Sequence, residues 1–561
     1  MDSPLAWALC IPFAALAAFP AAAQNQTWIR QFGGSQNELI FFAISDGAGG
    51  AYTCGSGGGT HPVQFDAWLA RHDNAGNLIW TRPLSTSLLD IGVCVAPDGS
   101  GGAFLCGVTE GSLGGPTAGA WDCWLASYDS AGNQSWIRQF GSNGYDSLHG
   151  AAADGSGGVF VCGETFGSLA GPNAGFRDPF LARYDGAGNQ LWIRQFGSIG
   201  EEITYAVASD GSGGAYVAGF CAGNFGGPSA GGADVWSAHF DSNGNQTWLR
   251  QFGTAGEEIA TGIASDGVGG MFLTGNCDSS LGGPNAGGED GWLARCDSAG
   301  NTSWIRQLGT SASERAYCAE PDGAGGAYVC GMSNGNFGGS NAGNYDAWVR
   351  HFDSAGNRIW THQFGSGAFD GARNVLLDAS GALFVIGSTL GNLGGPNAGL
   401  YDYFIARYDP ACPTSATYCT AKLNSQGCLP AIGSSGSSSA SAGSGFTIAA
   451  NQVINNKPGL LLYTNQGRAA VPFQGGLQCV NTPLRRSIPL QSGGSAPPNN
   501  CTGVYSIDMN AFAAGTLGGI PAPYLVVPGT IVDAQFWGRD SGYPAPNDTT
   551  LSDALEYSVC P

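Results

Sequence analysis

Hydrophobic and polar residues alternate in short runs along most of this chain, and glycine-rich turns separate the runs. Within residues 185–241, the runs around Trp192, at 203–209, at 215–218 and at 234–240 all show this pattern. Alternation with a period of two is typical of β-strands with one buried face, and Asp-Gly and Gly-Gly turns favour antiparallel neighbours. The pattern therefore predicts four short antiparallel strands and no helix in this segment.

The same segment recurs along the chain, and its clearest marker is the sequence Trp-Ile-Arg-Gln-Phe-Gly. Copies of this marker begin at Trp28, Trp80, Trp136, Trp192, Trp248, Trp304 and Trp360. The first interval is 52 residues and every later interval is 56. A fixed period of this size is typical of solenoids and propellers, in which each repeat is one supersecondary unit.

The order of the strands distinguishes a ring from an open solenoid. The chain begins on a lone strand at Trp28 and ends on three strands that close at Asp409. An open array would leave unpaired strands at its ends, whereas a ring pairs the first strand with the last three. We therefore expect an all-β fold, a seven-bladed β-propeller over residues 24–410 that is closed by its N-terminal strand.

The sequences on either side of the repeats predict three further segments. Residues 1–23 combine an apolar run with a small-residue motif, the pattern of a secretory signal peptide, although this segment carries Asp2 and no Lys or Arg. Residues 411–444 are rich in Cys, Gly and Ser and predict a linker. Residues 445–561 hold β-like runs between prolines and glycines, which predict a small, disulfide-bearing β-sandwich-like module.

Charge and composition narrow the range of partners. The formal net charge is −21, and the only two lysines, Lys422 and Lys457, lie outside the repeats. We expect no nucleic acid partner, because a phosphate-binding surface needs clustered basic residues. No later apolar run is long enough to span a bilayer, and many of the 17 cysteines lie in or after the repeats. These features predict a secreted or cell-surface monomer in an oxidising compartment.

Each repeat also carries a family signature. Residues 178–185 read Asp-Pro-Phe-Leu-Ala-Arg-Tyr-Asp, with Gly-Asn at 188–189, an Asp-Gly turn such as 210–211, and a Gly-Gly pair before each loop. Over residues 27–410 the chain resembles the SBBP (seven-bladed β-propeller) repeat family of secreted bacterial proteins. The resemblance implies a propeller in an extracytoplasmic setting and brings no established catalytic residues. The tail resembles an unassigned C-terminal module of secreted bacterial proteins in its Asn-Ser-Gln-Gly-Cys and Phe-Trp-Gly-Arg-Asp stretches.

Two cysteine pairs flank the first hairpin turn of their repeats symmetrically: Cys94 with Cys106, and Cys318 with Cys330. Directly opposed residues on antiparallel strands have Cα atoms about 4.5–5.5 Å apart, which suits a disulfide. We therefore predict two disulfides, with buried free thiols as the alternative. The pairing of the tail cysteines stays open; these are Cys412, Cys419, Cys428, Cys479, Cys501 and Cys560.

Three series of carboxylates follow the repeat. Two of them, represented by Asp178 and Asp185, are expected to cap N–H groups of turns. The third series opens the innermost strand of each predicted blade and consists of Glu38, Asp90, Asp146, Glu202, Glu258, Glu314 and Asp370. Close like charges raise each other's pKa or recruit a cation, so this ring is a candidate axial Ca²⁺ site. The alternative is that a wide, wet channel mouth hydrates the acids. No other cofactor is indicated.

The repeats favour a non-enzymatic binding or interaction scaffold. Six loops close to Gly-Gly-Pro-Asn-Ala-Gly are nearly identical, which suits avid binding of a repetitive extracellular polysaccharide or a surface protein. An exported polysaccharide hydrolase or lyase is the alternative, and it would need blade-specific residues. Its candidates are His61, Asp90, Tyr145 and His149. A structural component of the cell envelope is a third interpretation.

Overall fold

The computed structural model describes residues 24–58, 65–378, 380–410, 415–527 and 529–560. These residues form two compact units, one ending at Tyr408 and the other beginning at Asp409. The predicted signal peptide, His61 and Cys412 lie outside the described residues. No helix within the described ranges is long and apolar enough to cross a membrane.

In the first unit, the described residues form seven four-stranded antiparallel sheets, which we call blades 1 to 7. The innermost strands are β2 (Glu38–Ser45), β6 (Asp90–Pro97), β10 (Asp146–Ala153), β14 (Glu201–Ser209), β18 (Glu258–Ser265), β22 (Glu314–Pro321) and β26 (Asp370–Leu377). The second strands are β3 (Ala51–Gly58), β7 (Ala103–Thr109), β11 (Val159–Thr165), β15 (Ala215–Ala222), β19 (Met271–Cys277), β23 (Ala327–Ser333) and β27 (Leu383–Thr389). The third strands are β4 (Phe65–His72), β8 (Asp122–Tyr128), β12 (Asp178–Tyr184), β16 (Ala233–Phe240), β20 (Asp290–Cys296), β24 (Asp346–Phe352) and β28 (Asp402–Pro410). The outermost strands are β5 (Leu78–Leu84), β9 (Gln134–Phe140), β13 (Gln190–Gln195), β17 (Gln246–Phe252), β21 (Thr302–Leu308), β25 (Arg358–Phe364) and, in blade 7, β1 (Gln24–Phe32).

The blades pack side by side through their innermost strands. β6 contacts β10, β10 contacts β14, and the same contact recurs along the chain. Large side chains on the third strands, such as Trp124 and Trp236, are fully buried in the core. Four-stranded antiparallel sheets packed in this way are the blades of a β-propeller. The expected all-β propeller fold is confirmed.

The first hairpin of each blade closes on an aspartate followed by glycines. In blade 2, the Asp98 carboxylate accepts hydrogen bonds from the backbone N–H groups of Ser100 and Gly102, both at 2.8 Å. Gly101 has a φ of 95°, which a residue with a Cβ rarely adopts. A Cβ on Gly102 would lie 2.3 Å from the carbonyl oxygen of Tyr128. The glycines at these positions are therefore required by the turn and do not indicate disorder.

The repeated Trp and Arg of the outermost strand fasten each blade to the next. In blade 2, the Trp136 indole N–H donates to the Gly186 carbonyl oxygen of blade 3 at 3.0 Å. The Arg138 guanidinium stacks on the Trp136 ring at 5.4 Å and donates to the Gly188 carbonyl oxygen at 3.2 Å. The marker sequence recurs because this contact joins several neighbouring blades; blade 6 has His362 at the arginine position.

A glutamine on the same strand fixes the long loop between the second and third strands. In blade 2, the Gln139 side chain accepts from two loop N–H groups, including that of Leu113 at 2.8 Å. It donates to the Gly111 carbonyl oxygen at 2.9 Å and to the Asp122 carboxylate at 2.8 Å. Blade 1 has Pro83 at the glutamine position. The clamp is therefore a feature of the blades with the repeated loop.

The two predicted disulfides of the propeller have different outcomes. Cys94 and Cys106 are directly opposed on β6 and β7 and form a disulfide, with Cα atoms 5.3 Å apart. Cys318 and Cys330 are opposed in the same register on β22 and β23, but both are free thiols in this structure. The prediction of a bond between Cys318 and Cys330 is therefore not met.

The free thiol of Cys318 contacts the next blade. It donates to the Val375 carbonyl oxygen at 3.6 Å, and the side-chain amide of Asn374 donates to its sulfur at 3.6 Å. Blade 3 has Gly150 at the position of Asn374, so Cys94 has no equivalent amide beside it. The two opposed pairs therefore differ in their contacts with the neighbouring blade.

The second unit is built from two sheets that share one core. One sheet contains β29 (Ala416–Tyr418), β39 (Thr549–Ser558), β38 (Ile531–Arg539), β32 (Pro458–Thr464), β35 (Arg485–Arg486) and β36 (Leu490–Gln491). The other contains β30 (Ala431–Gly436), β31 (Phe446–Val453) and β37 (Gly503–Asp508), and a separate hairpin joins β33 (Arg468–Phe473) to β34 (Gly476–Val480). A short helix, α1 (Met509–Ala513), and a 3₁₀ turn (Pro523–Val526) follow β37. Ile448 and Leu461, one from each sheet, belong to the same core, as in a β-sandwich.

The interpretation of residues 411–444 as a linker is wrong for its described part, 415–444. β29 pairs with β39, and β30 pairs with β31. Disulfides join Cys419 to Cys479 and Cys428 to Cys501, and Cys560 is also disulfide-bonded. Composition was misleading here because an edge strand held by disulfides needs no hydrophobic run of its own.

Candidate functional site

The seven predicted axial carboxylates lie at the starts of the innermost strands, and each is bonded within its own blade. Asp146 accepts from the backbone N–H of Ser142 at 2.5 Å and from its hydroxyl at 2.9 Å. Glu202 does the same with Ser198, at 2.8 and 2.5 Å. Equivalent bonds from the residue four positions earlier reach Glu38, Asp90, Glu258, Glu314 and Asp370. Burial raises the pKa of Asp146 and of Glu202 above the usual values.

These bonds give each carboxylate a structural task, since it closes the turn through which the chain enters its blade. Within the described ranges, no group of three or more His, Cys, Asp or Glu side chains is placed to hold a metal ion. An oxygen that already accepts two bonds has less capacity for a cation. The axial Ca²⁺ site stays a prediction, and we do not build the site on it.

Each innermost strand carries a β-bulge at the same repeat position. The bulged residue has no partner in the register with the second strand, so strand pairing does not restrict its identity. The seven bulged residues are Phe41, Val93, His149, Tyr205, Thr261, Tyr317 and Arg373. Bulged residues of neighbouring blades meet: the rings of His149 and Tyr205 lie 5.6 Å apart, edge to face. The repeat symmetry is therefore broken at this ring of positions.

His149 is the centre of a buried polar cluster between blades 3 and 4. Its Nε2 lies 2.5 Å from Oε2 of Glu164, and both side chains are less than a tenth exposed. Arg177 lies 3.7 Å from Glu164 and 3.1 Å from Glu201. Burial raises the pKa of the Tyr205 phenol well above its usual value, so this group is protonated at neutral pH. The pair is a close polar contact without hydrogen-bond geometry, since Nε2 of His149 and Oε2 of Glu164 are both buried without a hydrogen-bond partner among the described residues.

Aromatic rings form a continuous row over blades 2 and 3. This aromatic row consists of Trp121, Tyr145, Phe166 and Phe176, with successive ring centroids 6.0, 6.0 and 5.2 Å apart. Tyr145 is 53% exposed and Phe176 is 58% exposed. The Arg177 guanidinium lies 5.0 Å from the Phe166 ring and 5.7 Å from that of Phe176, so it connects the row to the histidine cluster. Contiguous exposed apolar surface of this kind marks an interaction site.

The structure brings together two of the four residues expected of an enzymatic site. Tyr145 lies in the aromatic row, and Arg177 connects that row to the cluster around His149. Asp90 is buried in blade 2 and bonded to Thr86, and His61 lies outside the described residues. Asp90 is therefore not part of this cluster.

Sequence reasoning missed Glu164, Arg177, Tyr205 and three rings of the aromatic row. A signal was present, because these residues depart from the repeat. Glu164 stands where blade 2 has Val108, and Arg177 stands where blade 4 has Ala233. Their side chains meet only because the loop before the third strand of one blade lies beside the start of the next blade. Bridges between Trp121 and Tyr145 and between Arg177 and Glu201 show this contact.

Comparison with known proteins adds little beyond the fold. No protein-family model matches this chain. A curated relative, the regulatory protein FlaEY of Caulobacter vibrioides, is 29% identical over 171 residues, which cover 28% of this chain and 18% of the relative. The chain thus spans less than a fifth of that relative's length.

Several solved structures are similar at low identity. The extracellular domain of a hybrid two-component system from B. thetaiotaomicron is 14% identical, with 92% of this chain and 55% of that chain covered and a TM-score of 0.33. The β-propeller domain of the trilobed protease from Pyrococcus furiosus is 8% identical, with coverages of 68% and 94% and a TM-score of 0.37. A polysaccharide lyase of family 25, an ulvan lyase, is 10% identical, with coverages of 67% and 95% and a TM-score of 0.39. These TM-scores are too low to carry an argument about function.

Proposed function

We propose that this chain is a secreted, closed seven-bladed β-propeller that binds an extracellular glycan without transforming it. The disulfides in both units support an oxidising compartment, as the sequence predicts. The proposal has two parts, closure of the ring and binding at the aromatic row, and each is supported by separate contacts.

Closure is supported by contacts that repeat those of the inner junctions. β1 forms the outer edge of blade 7, and β2 contacts β26. Gln31 of β1 clamps the loop of blade 7, since its amide donates to Asp402 at 2.8 Å and accepts from Leu393 at 2.9 Å. A Cβ on Gly76 of blade 1 would lie 2.5 Å from the Trp28 ring, so the turn of blade 1 packs directly on that ring. These contacts support closure, because they resemble the contacts between inner neighbours.

The exposed aromatic row carries the binding part of the proposal. The C–H face of a sugar ring is apolar and weakly positive, and it packs against the negative face of an aromatic ring. Tyr145 and Phe176 offer such rings at more than half exposure, while Glu201 and Arg177 supply polar groups beside them. Aromatic surface with a few polar groups is the usual composition of a small-molecule site. A chain of sugars would contact several rings at once.

Glycan binding is tested on an array with washing, using the wild type and the variants Tyr145→Ala and Phe176→Ala. We expect each variant to lose about tenfold in affinity, the effect of roughly 1.4 kcal/mol of stacking. The matched control is Leu400→Ala, since Leu400 occupies the position of Phe176 in blade 7 and is also 58% exposed. Equal retention by all four proteins, or no retention by the wild type, would contradict the proposal.

A second function, an exported polysaccharide hydrolase or lyase, is favoured by one observation, the pair of His149 and Glu164. A product assay on every glycan that the array retains separates the two functions. Retention without products supports a scaffold. Products from the wild type and none from His149→Gln, with retention unchanged, would establish the enzyme and overturn the scaffold.

A further inference from the structure

Most arginines of the propeller have a repeated structural partner. One group donates to carbonyl oxygens of the next blade's turn and includes Arg82, Arg138, Arg194 and Arg306. A second group pairs with the aspartate of the first hairpin turn and includes Arg71, Arg183 and Arg295. Arg373 belongs to neither group. It is the bulged residue of β26, a position that carries no arginine in the other six blades.

The Arg373 guanidinium lies over an aromatic ring and not beside a carboxylate. Its central carbon is 4.7 Å from the ring centre of Tyr317, the bulged residue of β22. Tyr317 is 6% exposed, and its hydroxyl donates to the sulfur of Met332 at 3.8 Å and is hydrogen-bonded to the side chain of Arg315. No ion pair of the described residues includes Arg373, which is itself partly exposed.

The neighbouring arginine shows how differently Arg373 is placed. Arg315, two residues before Tyr317, donates to the Glu289 carboxylate at 2.7 Å. Blade 7 has Gly371 at the position of Arg315, so Arg373 has no second arginine beside it from that position. A protein with 42 acidic residues thus leaves this cation without a carboxylate in the described part of the chain.

We infer that Arg373 and Tyr317 form a binding site for an oxyanion, the carboxylate or sulfate of an acidic sugar. The tyrosine ring holds one face of the guanidinium, which leaves its N–H edge to form paired hydrogen bonds with a planar carboxylate or a sulfate. The inference rests on the proposed glycan binding and adds a substrate class to it, since an acidic protein otherwise repels anionic sugars.

The test compares three oligosaccharides of equal length, one neutral, one with glucuronate and one with sulfate esters, by calorimetric titration. We expect the wild type to bind one acidic form at least about tenfold more tightly than the neutral one, the effect of a charge-assisted hydrogen bond. Arg373→Gln should lower that affinity to the neutral level and leave neutral binding unchanged. Whichever acidic form is preferred identifies the anion.

Two controls keep the result interpretable. Arg358→Gln removes the same charge from an exposed position on β25 and should leave the preference intact. Arg373→Lys keeps the charge and loses the planar fork, so it should restore only part of the preference. Circular dichroism and thermal unfolding establish that each variant is folded. An acidic preference that survives Arg373→Gln, or no preference in the wild type, overturns the inference.

The inference and the proposed function fail in different ways. Loss of neutral binding in Tyr145→Ala with a retained acidic preference supports both. If no oligosaccharide binds, the proposed glycan function fails, and the anion site is then tested with sodium sulfate alone. A rise in melting temperature that is larger in wild type than in Arg373→Gln supports the site, because general salting effects are common to both. Equal rises overturn it.

Discussion

Closure of the propeller can be tested at a single side chain, Gln31. In the structure, its amide donates to the Gly391 carbonyl oxygen at 2.9 Å and to Asp402 at 2.8 Å. Its carbonyl oxygen accepts from Leu393 at 2.9 Å and from Gly394 at 3.2 Å. All four bonds join the first strand to a loop more than 350 residues away along the chain.

Replacing Gln31 by alanine removes these four bonds and leaves partly buried groups of the loop unpaired. Each hydrogen bond contributes about 0.5–1.5 kcal/mol net, and the partly exposed bonds contribute toward the lower end of this range. We therefore expect the free energy of unfolding to fall by about 2–3 kcal/mol. The assay is equilibrium unfolding in urea under non-oxidising, non-reducing conditions, so that the disulfides stay intact. Size-exclusion chromatography establishes whether the variant stays monomeric.

The matched control is Gln251→Ala, because Gln251 makes the same contacts inside blade 4. Its amide donates to Gly223 at 2.8 Å and to Asp234 at 2.7 Å, and its carbonyl oxygen accepts from Phe225 at 2.8 Å. A closed ring requires similar losses at both positions. If Gln251→Ala is destabilised and Gln31→Ala unfolds as the wild type does, the first strand does not complete blade 7 and the ring is open.

Four further predictions concern stability. Burial lowers the pKa of His72 to about 4, so the contribution of this residue to stability is complete above pH 6.5 and is lost as the pH falls from 6.5 to 4. In urea titrations, His72→Phe should remove about 3 kcal/mol of the pH dependence of the free energy of unfolding. Burial raises the pKa of Glu320 to about 8, so the contribution of this residue to stability is complete below pH 4.5 and is lost as the pH rises to 8. Glu320→Gln should therefore raise the free energy of unfolding by about 3 kcal/mol at pH 8 and by little at pH 4.5. An equal increase at both pH values would refute this reasoning. Replacing the disulfide-bonded Cys94 and Cys106 by alanine should lower the free energy of unfolding by about 2–3 kcal/mol. Replacing the free thiols Cys318 and Cys330 should lower it by less. Equal losses in urea unfolding would mean that both pairs are bonded. The predicted axial Ca²⁺ site is tested by thermal unfolding with Ca²⁺. A saturable rise in melting temperature would support the site, and no rise would refute it, because the bonds within each turn would then satisfy the axial carboxylates.

The repeated part of the fold is predictable because every blade meets the same physical requirements. Asp98, Trp136, Arg138 and Gln139 each close a turn, join two blades or fix a loop, and their equivalents do so in other blades. A requirement that recurs leaves a recurring residue, so period and turn chemistry are visible without coordinates. The exception is the first long loop, where the sequence departs from the repeat and the glutamine becomes Pro83.

The candidate site is less predictable because its members come from different blades and different strands. Glu164 lies on a second strand, His149 on an innermost strand, and Arg177 precedes a third strand. Their approach depends on how neighbouring blades pack, which periodicity alone does not give. Cys318 illustrates the same point, since its thiol contacts an amide of the next blade although its own strand pairing favours a disulfide.

The division between repeated and variable positions explains how one scaffold carries a specific site. The repeated residues lie on outermost strands and turns, where each loss weakens a junction between blades. The bulged residues of the innermost strands carry no pairing task, so they vary from Phe41 to His149 to Arg373 without disturbing the ladder. It follows that substitution at Gln31 or its equivalents should change stability before binding. Substitution at the partly exposed bulged residue Arg373 should change binding before stability, whereas the buried bulged residues, such as Val93 and Tyr205, also contribute to the core.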